Sequence, residues 1–193
     1  MLEDQCPKER YAYIFMVIQG LIKYKADELV EEAESLLKAT IIYGAEVYND
    51  DDFDSVTDME YIASIAGDFA GELKMPRFIK LVQSLAPTEG AEELSVSYAC
   101  VLYHSIDECK EEVANDLKPI VETVIAFLNS EIFLIKEIGT QIAVIIGDNL
   151  EYSQLDIADT LLQDLISLIA LGNYPFTQGS FCAIISLLSQ GLA

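Results

Sequence analysis

Between Leu117 and Asn149 the chain reads as two amphipathic helices placed back to back. Apolar residues recur at Ile120, Val121, Val124, Ile125 and Leu128, the three- and four-residue spacing of one helix face rather than the alternation of a strand. Pro119 suits the first turn, where its missing N–H costs nothing. The polar break Asn129-Ser130-Glu131 ends this helix, and a second is predicted from Phe133 to about Gly147. That helix carries Leu134, Ile135, Ile138, Ile142, Ala143, Ile145 and Ile146, more apolar surface than one neighbouring helix covers. It is therefore expected to be packed on more than one side.

The same period predicts helices over Pro7–Lys25, Glu28–Val47 (with Asp27 as N-cap), Asp58–Lys74, Pro76–Ala86 and Ala91–Ile106. An acidic helix follows over Glu108–Asp116. Beyond the central pair, a segment near Tyr152–Thr160 leads into a helix Leu161–Leu171, Gly172-Asn173-Tyr174-Pro175 ends it, and a last helix runs over Thr177–Gln190. No segment alternates polar and β-branched residues, so the class is all-α. A chain of 193 residues suits one domain, with 1–57 as divergent N-terminal helices and 58–193 as the region of internal similarity.

That similarity has a period near the length of a helical hairpin. Pro76 to Leu85 aligns with Pro119 to Leu128, 43 residues on, and both prolines head their predicted helices. A third copy, Leu161 to Ile169, keeps Leu165, Ile166 and Ile169 in register without the proline. The partner helices agree: Ser95 to Ala99, Gly139 to Ala143 and Gly179 to Ala183 each place a small residue and an alanine four apart, the spacing of close contact along one ridge.

With Pro119, Asn129, the aliphatic-basic pair Ile135-Lys136, and Ala143 with Gly147, the stretch Lys74–Ala193 resembles the HEAT and armadillo superfamily of helical repeats. The resemblance implies a right-handed superhelix of hairpins whose second helices line a concave face that holds proteins or peptides. The polar positions there, Glu93, Ser97, Glu137, Gln141 and Asp148, are the candidate contact residues. The chain departs from the pattern in its lost third proline, in Gln178 to Ser180 where a basic residue would recur, and over residues 1–73. A compact α-helical bundle is the alternative architecture.

Charge sharpens the choice of partner. Eleven basic residues stand against 33 acidic ones, a net −22, with Arg10 and Arg77 the only arginines and no basic residue after Lys136. Phosphate binding demands the opposite balance, so nucleic acid is excluded and a basic protein or peptide is expected. A compact acidic protein that mimics DNA, or one that dimerises through its apolar C-terminal helix, is the alternative. Phe181 to Leu188 is apolar nearly all round, whereas the end of a repeat stack needs a polar outer face; a longer native chain, a second copy or a folded-back bundle would each cover it.

Other chemistry is sparse. Cys6, Cys100, Cys109 and Cys182 are scattered without a CxxC pair, which points to a reducing compartment, cytoplasmic or nuclear, and to no structural metal. The run Ile14–Ile22 is broken by Gln19-Gly20, unlike a signal peptide, and the uncharged stretch Leu165–Ala193 is cut by Gly172-Asn173-Tyr174-Pro175 into pieces too short to cross a bilayer. Asp50, Asp52, Asp54 and Asp58 fit four places of a calcium loop, but Ser55 stands where the turn needs glycine and Tyr61 where it needs a bidentate glutamate. His104 is the single histidine, and nucleophile elbows, phosphate-cradling glycine loops and HExxH are absent. The expectation is a non-enzymatic scaffold without cofactor.

Overall fold

Every regular element among the described residues of the computed structural model (16–24, 30–49, 53–73, 78–88, 91–110, 117–149, 155–170 and 174–191) is helical. We number the helices α1 (16–24), α2 (Ala33–Val47, entered through a 3-10 turn Val30–Glu32), α3 (Phe53–Leu73), α4 (Phe78–Ser84), α5 (Glu92–Glu108), α6 (Leu117–Leu128), α7 (Phe133–Asn149), α8 (Leu155–Ala170) and α9 (Tyr174–Gly191). They gather into two compact units, Met1–Glu108 and Cys109–Ala193, so the stretch 58–193 is distributed over both.

In the first unit α2, α3 and α5 pack against one another and α4 lies on α5. Leu37, Ile41, Met59, Ile62, Phe69, Phe78, Val96 and Leu102 form its buried centre, with the Phe69 and Phe78 rings edge to face at 5.9 Å. Helices α3 and α5 run parallel. A Cβ placed on Gly67 would lie 3.2 Å from the His104 carbonyl oxygen, and one on Gly71 would lie 3.3 Å from Glu108 Oε2, so two contacts four residues apart keep one register of 37 residues. Gln19 ties α1 to α3 by donating from Nε2 to Asp68 Oδ2 at 2.7 Å and accepting from the Tyr61 hydroxyl at 3.3 Å.

Helix α3 starts five residues before the predicted Asp58. The cause is local: the Ser55 hydroxyl accepts the Asn49 N–H at 2.9 Å and donates to the Asn49 carbonyl at 2.7 Å, which ties the first turn of α3 to the end of α2. Asp54 and Asp58 are thereby exposed helix positions, and Ser55, at the glycine place of the calcium frame, is buried; Asp50 and Asp52 lie outside the described residues.

In the second unit α6 and α7 form the predicted pair. Asn129 closes α6, its N–H and Nδ2 both donating to the Ile125 carbonyl, and the Ser130 hydroxyl accepts the Ile132 N–H at 3.1 Å to open α7. Helix α7 is packed on both sides as its apolar breadth requires, against α6 and most extensively against α9, with Ile135, Ile138, Ile142 and Ile146 buried. Gly139 admits α6 closely: a Cβ there would come within 3.1 Å of Phe127 Cβ. Helix α8 covers α6 and α9. It begins at Leu155, so Leu161 does not head it as the repeat alignment placed it; the segment 155–160 continues the same helix. Helix α9 likewise begins at Tyr174, because Pro175 in a first turn forfeits no hydrogen bond.

Candidate functional site

Glycines set how α7 meets α9. Gly179 lies against Thr140, where a Cβ would be 2.5 Å from the hydroxyl oxygen, and Gly147 lies against Ser186, where a Cβ would be 2.7 Å from the serine Cβ. Both contacts step by 39 residues in the same direction, so the two helices are parallel and closely apposed. The Ser186 hydroxyl, turned into this seam, donates to Asp148 Oδ1 and reaches the Val144 carbonyl at 3.3 Å.

Around the Gly179–Thr140 contact an open groove of about 390 Å³ lies between the two helices. Its walls are Glu137, Thr140, Gln141 and Val144 of α7 and Gln178, Gly179 and Cys182 of α9, with no basic side chain among them. The floor is sealed by the threonine, whose hydroxyl donates to the Glu137 carbonyl at 2.7 Å. Among the described residues no ion pair engages the Glu137 carboxylate.

The predicted contact residues divide accordingly. Glu137 and Gln141 line the groove together, and Asp148 is exposed on the same face of α7, oriented by Ser186. Glu93 is half-buried in the first turn of α5, in the other unit. Ser97 is not a surface contact residue. It is 0 % exposed at the crossing of α5 with α2, where Gly44 is held against its hydroxyl, and that hydroxyl has no hydrogen-bond partner. Reading Ser97 from helix phase alone missed that α2 as well as α3 covers α5. Thr140, Val144, Gln178, Gly179 and Cys182 completed the groove unannounced, although the alignment of Gly139 to Ala143 with Gly179 to Ala183 had put the right segments side by side.

Cys100, Tyr98 and His104 are held in the packing of the first unit. Burial pushes the Cys100 thiol far up, with the charge of Glu60 adding to the rise, and pushes the Tyr98 hydroxyl up to about 12. Burial lowers His104 against the opposing pull of Asp107 and Asp68, and its ring rests edge-on against Tyr103 at 5.1 Å. Cys182 is an exposed free thiol. Among the described residues no three His, Cys, Asp or Glu side chains converge as metal ligands, and no helix is long and apolar enough to cross a membrane.

Comparison with protein-family models, with curated proteins and with solved structures yields no match. The functional reading therefore rests on this geometry.

Proposed function

We propose that the chain is a non-enzymatic scaffold of stacked helical hairpins, of the HEAT and armadillo kind, that holds a basic protein segment on an acidic helix face. The observation that carries the reading is the parallel seating of α7 on α9 at a 39-residue step, which is how successive hairpins of a solenoid meet and which leaves Glu137, Gln141 and Asp148 along one accessible face. The parallel register of α3 with α5 at a similar step supports the same reading for the first unit. The net −22 supplies the sign of the partner.

The test is fluorescence anisotropy of a labelled lysine- and arginine-rich peptide against an acidic peptide of equal length. Binding of the basic peptide alone, weakened by salt and by the double exchange Glu137→Lys and Asp148→Lys, is expected. Affinity indifferent to salt and to both exchanges would overturn the proposal.

One observation favours a second reading, self-association. Phe181, Ile185 and Leu188 are about half exposed or more and share one face of α9 by their spacing, and Ile166 of α8 is exposed as well. Sedimentation equilibrium decides it: a monomer at high protein concentration removes this reading.

A further inference from the structure

We propose that the α7–α9 groove receives a single lysine side chain of the bound segment; this rests on the scaffold reading and names what that scaffold grips. The groove suits a lysine by its chemistry. Val144, the methyl-bearing Thr140 and the bare backbone at Gly179 offer apolar contact for a four-carbon stem, and the lining also includes one carboxylate, Glu137, and two carboxamides, Gln141 and Gln178. An ammonium carries three donors and no acceptor, so one carboxylate and two carboxamide oxygens satisfy it, with the charge matched by Glu137. Arginine is served less well, since its planar fork seeks a carboxylate that accepts two parallel bonds and the groove holds a single carboxylate already flanked by amides. The absence of any basic wall residue leaves the position open to a cation.

Cys182 gives a way to close the groove without altering the fold, because its exposed thiol lies on the wall. The probes are fluorescein-labelled hexalysine, hexa-arginine and acetylated hexalysine, titrated against the full chain carrying Cys6→Ser and Cys109→Ser, before and after labelling of Cys182 with a bulky maleimide. Hexalysine is expected to bind tighter than hexa-arginine. Maleimide labelling and Glu137→Gln are each expected to weaken it about tenfold, the scale of one hydrogen bond to a charged group. Glu122→Gln removes the same charge from an exposed position on α6 and is expected to leave the lysine preference intact. If both cationic peptides bind with salt-sensitive affinity yet neither the preference for lysine nor the effect of closing the groove appears, the groove assignment is wrong and the acidic scaffold stands. If neither cationic peptide binds, both fall together.

Discussion

In the first unit Gly44 of α2 lies against the Ser97 hydroxyl of α5, and in the second Gly147 of α7 lies against Ser186 of α9. The pairing is chemically the same, a glycine that lets backbones approach and a serine small enough to meet it. The surroundings are not. Ser97 sits in a fully enclosed crossing with no hydrogen-bond partner for its oxygen among the described residues, whereas Ser186 lies at the edge of a seam and holds Asp148 and the Val144 carbonyl. A small polar residue in a helix crossing is thus a filler in one place and a fastening for a surface acid in the other, and only the second bears on binding.

The cores differ as well. Phe69, Phe78 and Tyr98 are buried in the first unit, while the second is built chiefly from Ile138, Ile142, Ile146, Leu161 and Leu165. The largest expected losses are here. Phe78→Ala is expected to cost about 3–5 kcal/mol and Ile142→Ala about 2–5 kcal/mol, since both side chains are fully enclosed and truncation leaves a cavity. Urea titration followed by circular dichroism measures both, and a loss below about 1 kcal/mol at Ile142 would mean that α7 is not packed on both sides.

Next in size are the glycines. Gly147→Ala places a Cβ 2.7 Å from Ser186 Cβ and 2.8 Å from the Leu187 backbone nitrogen. Overpacking of about 1–3 kcal/mol outweighs the helix propensity of about 1 kcal/mol that alanine adds, so a net loss is expected. Gly20, in α1, meets nothing within 4 Å, and Gly20→Ala is expected to raise stability by about 0.5–1 kcal/mol. Thermal melts that move in opposite directions would confirm that closeness, not helix propensity, governs Gly147. Ser186→Ala follows, with about 0.5–1.5 kcal/mol lost along with its hydrogen bonds and a freer Asp148 carboxylate.

His104 adds a pH-dependent contribution in the seam between α3 and α5. Its folded pKa lies below the ordinary value of about 6.5, so the unfolded chain binds the proton more readily. The histidine's contribution is therefore full above about pH 6.5 and diminishes as the pH falls toward the lowered value. Asp107 and Asp68 oppose the shift and the ring is only half-buried, which keeps the effect small. His104→Gln is expected to flatten the stability of the first unit over that window; an unchanged slope would assign it to the carboxylates.

Much of the architecture was legible because helix periodicity survives without knowledge of neighbours. The breadth of the apolar face on α7 announced two-sided packing, and Asn129 with Ser130 marked the turn that their hydrogen bonds make. What stayed hidden depended on partners. Ser55 extends α3 only through Asn49, α8 begins at Leu155 rather than at the Leu161 of the repeat alignment, and Ser97 is polar in sequence but enclosed because α2 crosses α5 there. That Glu137 and Gln141 share one polar face of α7 is legible from their spacing; that Gln178 and Cys182 stand opposite them depends on the register of α9.

The smallest expected effect tests the comparison most directly. Ser97→Ala removes an oxygen that has no partner, so no hydrogen bond is lost and a desolvated polar atom is replaced by nothing more than slack around Gly44. The two contributions oppose each other, and the change is expected to stay within about 0.5 kcal/mol of the parent, with stabilisation as the favoured sign. Measured beside Ser186→Ala by urea denaturation, the pair should differ by about 1 kcal/mol although both exchange a serine beside a glycine for alanine. Equal losses at the two sites would show that the Ser97 hydroxyl is satisfied after all, by a water held in the crossing, and the distinction between filler and fastening would go.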